Sequence, residues 1–193
     1  MIKIPKSIIK NIERKSQKTN KKDYNKLFKK NFDKIKEEMI QEFLSDPVTV
    51  ELLAGSGSSN SSGTLGGISN LFAFIGFNSG ENPINPILDI LQNISYKDSG
   101  ESTKGRKFTV AMPTTQDIFS VTPMPWATGR SWAKGIETGI SGVGYLLNKS
   151  SASSRSGVAI QARSRVRGAR FNNRPYISAL IKKYKKKFND LKW

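Results

Sequence analysis

The sequence predicts an α+β fold, in which a small, mostly antiparallel sheet is flanked by an N-terminal and a C-terminal amphipathic helix and carries a long flexible loop. Three observations predict it. Apolar residues recur every three or four positions over 21–45 and again over 176–188. Apolar and polar residues alternate in several short segments between them, as in half-buried strands. Residues 55–70 consist mostly of Gly, Ser and Asn, a composition typical of loops.

The N-terminal region divides into a basic arm, 1–19, and the start of a single domain, 20–193. Residues 21–45 form the clearest helix, and Asp46-Pro47 ends it because the residue before proline avoids the helical conformation. Its lysines come early and its glutamates late, which opposes the helix dipole, so the helix needs tertiary packing or a use for its charge. The apolar stripe of this helix consists of Tyr24, Leu27, Phe28, Phe32, Ile35, Met39 and Phe43.

The next segments alternate between predicted structure and loop. Val48, Val50 and Leu52 alternate with polar residues and predict a strand. The Gly/Ser-rich loop 55–70 is too polar to pack a core, so we expect it to be disordered or ordered by neighbouring chains. Residues 70–77 form a buried strand or a short helix, and 87–94 form a short helix that Pro86 opens.

The second half of the chain is predicted to be mostly strands. Residues 98–105 form a polar turn, and Phe108, Val110 and Met112 mark a strand. Residues 132–147 predict a strand pair or a bent strand, with glycines at bends or close approaches. Residues 158–165 predict a strand with one basic face. The last helix begins near Pro175, and its stripe comprises Tyr176, Ile177, Leu180, Ile181, Tyr184 and Phe188.

Positive charge is concentrated at the two ends. Residues 1–45 have a net charge of +7, residues 155–193 a net charge of +11, and the residues between them −1, out of a total of +17. The near-neutral middle is predicted either to build the protein or to contact protein. The two basic ends predict contact with a polyanion or an acidic partner.

The composition excludes several kinds of chemistry. The chain has no Cys and no His, so it can form neither disulfides nor thiolate or imidazole metal sites, nor a Ser-His-Asp triad. We therefore expect no enzyme, no metal and no cofactor, and we interpret the scattered acids Asp89, Asp117 and Glu137 as structural. No apolar run reaches the ~20 residues of a membrane span, and no secretory signal is recognisable, so we expect a soluble protein made in a reducing cytoplasm.

Two residue clusters are candidates for contact surfaces. Five arginines in a segment without acids predict a polyanion or partner contact, although a charge-protected edge strand is an alternative. They are Arg155, Arg163, Arg165, Arg167 and Arg170. Trp126 and Trp132, near several prolines, are either interface anchors or a hydrophobic corner of the core. The lysines of the last helix are interpreted as a solvated face over a core stripe, with membrane or nucleic-acid contact as the alternative.

Several stretches together resemble structural proteins of tailed bacteriophages. They are FLSDPVTVELLAG, SNLFAFIGF, the long stretch from MPTTQDIFSVTPMPWATGRSWAKGIETGISGVGYLL to SSRSGVAIQ, and NRPYISALIKKYKKKF. The chain is similar to tail-completion or neck proteins, which join the head connector to the tail. The long loop and the basic arm depart from that small fold.

The resemblance implies a virion protein of the neck or tail, a tail-completion or terminator protein made in the host cytoplasm. It implies a homo-oligomeric ring, often a hexamer, without enzymatic activity. Its neighbours would be connector or neck proteins and tail tube or sheath proteins, with non-specific contact to genomic DNA and none to a membrane. The alternative is a basic cytoplasmic nucleic-acid-binding protein without sequence specificity, for which the charge of +17 is the main argument.

Overall fold

The structure is a computed structural model that describes residues 6–67, 69–102, 105–125, 127–140 and 170–191. Helices stand at both ends, and two small antiparallel sheets lie between them, so the predicted α+β class is confirmed. The elements in chain order are α1 (Lys6–Ser45), α2 (Pro47–Ala54), α3 (Leu71–Ile75), α4 (Asn85–Gln92), β1 (Ser95–Ser102), β2 (Gly105–Ala111), α5 (Thr115–Ser120), β3 (Pro123–Met124), β4 (Ala127–Ser131), α6 (Trp132–Thr138) and α7 (Ile177–Asn189).

Helix α1 contains the whole predicted helix and begins earlier, so it crosses the expected boundary between arm and domain at residues 19 and 20. Tyr24 and Leu27 of its predicted apolar stripe are exposed, whereas the part from Phe28 onward faces the core, with Phe28, Phe32, Met39 and Phe43 buried. Each such side chain contributes roughly 1.5–3 kcal/mol on burial. The helix ends at Ser45, as the Asp-Pro pair after it predicts.

The segment after α1 is a helix, and the strand predicted at 48–52 is wrong. The Asp46 side chain accepts a hydrogen bond from the Val48 backbone N–H at 2.8 Å, and Pro47 occupies the first turn. An N-cap aspartate followed by proline is a helix start, and it overrides a short alternating pattern. Thus one Asp-Pro pair ends α1 and begins α2.

The two short helices that follow agree with the sequence. Residues 70–77 take the helical alternative as α3, in which the Asn70 side chain caps the Ala73 N–H at 2.7 Å. The helix predicted after Pro86 is α4, with Ile87 and Leu91 buried. Both helices are apolar enough to lie in the core.

Strands β1 and β2 form an antiparallel hairpin that packs on α1. The strand predicted at 108–112 is confirmed as β2, but the polar turn predicted at 98–105 is wrong, because β1 extends to Ser102. The polar residues 98–102 are part of a strand because the apolar face of the hairpin packs on Phe28. The Phe28 ring lies 4.0 Å from that of Phe108 and 4.8 Å from that of Tyr96.

Residues 132–138 form α6, so the predicted strand pair over 132–147 is wrong for this part; residues 141–150 lie outside the described residues. Ser131 caps the helix by accepting from the Lys134 N–H at 3.1 Å. The expected close approach at a glycine is present at Gly135. A Cβ there would lie 2.7 Å from Ile140 Cγ1.

Helix α7 begins just after Pro175, as predicted, and lies antiparallel on the C-terminal half of α1. Its stripe of Ile177, Leu180, Ile181, Tyr184 and Phe188 is buried, which confirms the predicted core stripe. We expected this stripe to pack against the sheet, but it packs against α1. The Phe188 ring lies 5.4 Å from that of Phe32.

Candidate polyanion and partner-contact surfaces

A buried glutamate on α2 orders the Gly/Ser-rich segment from within its own chain. Glu51 is fully buried, and its carboxylate accepts hydrogen bonds from Asn60 Nδ2 at 3.0 and 3.1 Å. It also accepts from the backbone N–H groups of Ser62, at 2.9 Å, and Leu71, at 2.6 Å. All of these donors are uncharged. Because they belong to residues 60–71, their hydrogen bonds to one carboxylate hold this segment against α2.

The same segment contributes to the core, and the prediction that 55–70 cannot pack one is wrong. Asn60 Oδ1 accepts from the backbone N–H groups of Leu65, at 2.9 Å, and Gly67, at 3.2 Å. The Leu65 side chain is 1% exposed. Side-chain hydrogen bonds replace the helix or strand that the composition cannot form. The sequence did not predict this role, because Glu51 lies among the polar, solvent-facing positions of the strand predicted at 48–52.

The chain just before α7 crosses this segment and ties it to the last helix. Asn172 donates its backbone N–H to Thr64 O at 2.8 Å and its side-chain amide to Gly63 O at 3.1 Å. The Arg174 guanidinium donates to Ser62 O at 3.0 Å. Arg174 is therefore occupied within the fold and is not part of a free basic surface.

The mid-chain acids interpreted as structural have partners within the fold in two of three cases. The Asp117 side chain accepts from the Thr114 N–H at 2.7 Å and forms a capping box for α5, which lowers the pKa of Asp117. Glu137 accepts from the Ser178 N–H at 2.6 Å and from its hydroxyl, at the start of α7. Asp89 is exposed on α4.

Acidic side chains do not cluster in threes, as metal ligands would, anywhere in the described part of the chain. None of the helices described there has the length and apolar character that spanning a bilayer requires.

Helices α1 and α7 meet along a line of ion pairs, which we call the α1–α7 seam: Glu38 with Lys187, and Glu42 with Lys183. Tyr184 also donates its hydroxyl to Glu42 at 2.8 Å. The hydrogen bond from Lys187 lowers the pKa of Glu38, and that from Lys183 lowers the pKa of Glu42. The glutamates that oppose the dipole of α1 are thus used to hold α7.

A groove of about 550 Å³ runs along one side of the seam. Its lining includes the apolar residues Ile35 and Leu191 together with four lysines and two acids. Cations therefore outnumber acids around it. The charged residues are Lys34, Lys183, Lys186, Lys187, Glu38 and Asp190.

The outward faces of both helices carry exposed lysines, which we call the lysine face. Helix α7 has no acidic residue within its length. Such a face attracts a polyanion through its field and offers no sequence readout. The exposed lysines are Lys21, Lys22, Lys26, Lys29, Lys30 and Lys34 on α1, and Lys182, Lys183, Lys185 and Lys186 on α7.

Only some of the predicted contact residues lie in the part of the chain that the structure describes. Arg170 is described and exposed, whereas Arg155, Arg163, Arg165, Arg167 and Trp126 lie outside the described residues. Trp132 is 1% exposed and packs near Phe77 and Tyr176, which favours the hydrophobic-corner alternative over an interface anchor.

Comparison of the chain with protein-family models, with curated proteins and with solved structures finds no match in any of the three.

Proposed function

We propose that this chain is a non-enzymatic structural protein of a tailed-bacteriophage virion, placed at the neck or tail as a tail-completion or terminator component. It acts by assembling into a ring and by contacting neighbouring connector and tail proteins. The single observation that carries the proposal is the separation of roles among the charged residues. Glu51 and Glu137 accept hydrogen bonds inside the fold, while lysines cover the outside of α1 and α7.

This separation supports a role in contact. A carboxylate whose oxygens receive donors from its own chain is not directed at a substrate. The lysine face suits the passage or holding of DNA without sequence preference, as expected at a head–tail junction. The resemblance of residues 113–181 to phage neck and tail proteins supports the same role.

The test is a mass measurement on particles purified from the native system, combined with crosslinking. We expect the chain in finished particles at a fixed copy number, crosslinked to copies of itself and to connector or tail proteins. Its absence from finished particles would overturn the proposal. So would turnover of a small substrate by the purified subunit.

A second candidate function is non-specific nucleic-acid binding in the cytoplasm, which the lysine face of α7 favours. We expect duplex DNA to be retained at low salt and to be released steeply between about 50 and 200 mM salt. Replacing Lys182, Lys185 and Lys186 with Ser lowers the salt slope by about 0.9 for each phosphate that the variant no longer neutralises. The matched control removes three exposed lysines elsewhere, Lys97, Lys107 and Lys134, and leaves the slope unchanged.

The arginine cluster is tested in the same assay. Replacement of Arg163, Arg165 and Arg167 with Ser is expected to abolish retention at low salt, because arginine forks bind phosphate well. Unchanged retention would show that these arginines do not hold the polyanion. Retention by the monomer without particle incorporation would favour the second function over the first.

A further inference from the structure

The groove beside the α1–α7 seam, which we call the seam groove, is lined by one row of side chains from each helix. The α1 row occupies positions 31, 34, 35 and 38, and the α7 row occupies positions 183, 186, 187 and 190. Positions three and four residues apart lie on one helix face, so the two rows are facing stripes of two packed helices. Each row rises by about 10 Å along its helix. The seam groove is therefore about two helical turns long.

The seam groove contains more positive charge than its own acids balance. Two of its four lysines are held in the ion pairs of the seam. The other two, Lys34 and Lys186, are exposed and form no ion pair with any described residue. Asp190 is the one lining acid outside the seam pairs, while Asp33 is paired elsewhere on α1 and Glu37 does not line the groove. The groove therefore attracts an anionic group.

Two apolar side chains line the same groove. Ile35 and Leu191 both pack against the hydrophobic core and are only half-buried. Covering their remaining surface would be favourable, because apolar area removed from water stabilises a complex. A group that fills the seam groove therefore has an apolar part as well as an anionic part.

These features favour a segment of protein over a nucleic acid or a small molecule. Single-stranded bases bind by stacking on aromatic side chains, and none of the described residues that line the groove is aromatic. A phosphate backbone offers no apolar group to Ile35 and Leu191. A small molecule is held by burying most of its surface, but every residue that lines this groove is exposed or half-buried. A protein segment offers carboxylates and apolar side chains together.

We propose that the seam groove binds an acidic segment of a neighbouring protein. One large apolar side chain of that segment covers Ile35 and Leu191, and its carboxylates pair with Lys34 and Lys186. The groove accommodates about two turns of helix or about three residues of extended chain. The inference rests on the proposed contact with connector and tail proteins, and it names the chemistry of one such contact.

A displayed library of random dodecapeptides tests this chemistry without presupposing a partner. The library is selected on the wild type and depleted on a groove variant that combines Lys34→Ser, Lys186→Ser and Leu191→Ser. We expect the enriched peptides to have a net negative charge and to place a large apolar residue beside Asp or Glu. Enrichment of peptides without acids, or no enrichment over the starting library, would overturn the inference.

One enriched peptide, labelled with fluorescein, then measures the charged half of the contact by anisotropy. We expect Lys34→Ser combined with Lys186→Ser to weaken binding about tenfold, as the loss of two exposed ion pairs does. The matched control is Lys182→Ser combined with Lys185→Ser, which removes the same charge from exposed positions of α7 outside the groove. The control should stay within about twofold of the wild type. Equal losses in the two variants would show general attraction to lysines and overturn the inference.

The apolar half is measured with the same peptide. Leu191→Ser is expected to weaken binding about tenfold, because the apolar side chain of the peptide loses its cover. Leu53→Ser makes the same change at an exposed position of α2 and should leave the affinity unchanged. Equal affinity of Leu191→Ser and the wild type would show that the contact has no apolar part and overturn the inference.

Two further measurements identify other occupants. A chain that stops at Leu191 lacks residues 192–193, which follow the groove and lie outside the described residues; we expect its affinity for the peptide to equal that of the full chain. A gain of about tenfold would mean that residues 192–193 compete for the groove, and would overturn the assignment to a neighbouring protein. Duplex DNA that displaces the peptide from the wild type as effectively as unlabelled peptide does would assign the groove to nucleic acid instead.

The outcomes separate this contact from the broader function. If the groove binds no acidic peptide but the chain is present in finished particles, this inference fails and the proposed function stands. Absence of the chain from particles counts against the proposed function even where the peptide binds as expected.

Discussion

Two regions of this protein use glutamates to join parts of the chain that are distant in sequence, and they do so in opposite ways. Glu51 is fully buried and accepts from neutral amides of the segment that follows it. Glu38 and Glu42 have side chains about 40% exposed and pair with lysines of α7. The donors around the first carboxylate carry no charge, whereas the second region is surrounded by cations.

The difference shows where stability and surface charge come from. A buried carboxylate with several well-placed donors specifies one conformation, because removing it leaves backbone N–H groups without acceptors away from water. An exposed ion pair is screened and contributes little. Here the ion pairs of the seam orient α7 on α1, so that the remaining lysines of both helices face outward. The comparison predicts effects of different size in the two regions.

The largest effect is expected for Glu51→Gln. The amide nitrogen replaces one of the two carboxylate oxygens and so faces the N–H of either Ser62 or Leu71, which leaves that buried donor unsatisfied. We expect a loss of about 2–4 kcal/mol in the free energy of unfolding, measured by urea denaturation. Amide hydrogen exchange should accelerate at Ser62 or at Leu71, whichever N–H loses its acceptor.

The matched control is Glu37→Gln, which makes the same chemical change at an exposed site of α1. It should alter the free energy of unfolding by no more than about 0.5 kcal/mol. Equal effects of the two variants would mean that the carboxylate of Glu51 does not hold the segment, and the contrast between the two regions would fail.

Two tyrosines at α7 provide a second, intermediate comparison. The Tyr176 hydroxyl lies 2.7 Å from that of Thr49 in the core, whereas the Tyr184 hydroxyl donates to the half-exposed Glu42. Tyr176→Phe leaves the Thr49 hydroxyl buried without its partner and should cost about 1 kcal/mol. Tyr184→Phe should cost less. Thr49→Val combined with Tyr176→Phe restores part of the loss, which a double-mutant cycle measures.

The same tyrosines predict how stability responds to alkali. Burial raises the pKa of Tyr176 far above its ordinary value of 10.0, and it also raises the pKa of Tyr184. A group with a raised pKa in the folded state contributes stability below its unfolded pKa, and the contribution is lost as the pH rises through the folded value. The wild type should therefore weaken above about pH 10, and Tyr176→Phe should weaken less steeply. A parallel decline in both proteins would contradict this.

The sequence predicted the parts of the fold that depend on regular apolar spacing. The stripes of α1 and α7 keep their register over many residues, so tertiary contacts did not override them. The glycines of 132–147 were expected at bends or close approaches, and Gly135 is at a close approach. Each of these predictions rested on a local pattern that the packing then used.

The errors occurred where one polar residue decides the structure. Val48, Val50 and Leu52 alternate, but the cap formed by Asp46 turns them into a helix, which brings Glu51 inside. From there Glu51 orders the Gly/Ser-rich segment, whose composition alone predicts a flexible loop. Because the cap formed by Asp46 was not recognised, the structure predicted for the following twenty residues was wrong. The sequence also did not predict that Tyr24 and Leu27 are exposed, because a stripe pattern alone does not show where the surface that covers it ends.

The smallest effect is expected in the seam. Glu38→Gln combined with Glu42→Gln should reduce stability less than Tyr176→Phe does, because both carboxylates are well solvated. Their pKa values are lowered in the folded state, so their contribution is present above the unfolded carboxyl pKa of about 4.3 and is lost as the pH falls through the lower folded values. The wild type should thus approach the double variant below about pH 4, and the difference at pH 7 should shrink in high salt. A difference that persists in acid and in salt would place the strength of the seam in its apolar stripe and hydrogen bonds, and would make the two regions more alike than their burial implies.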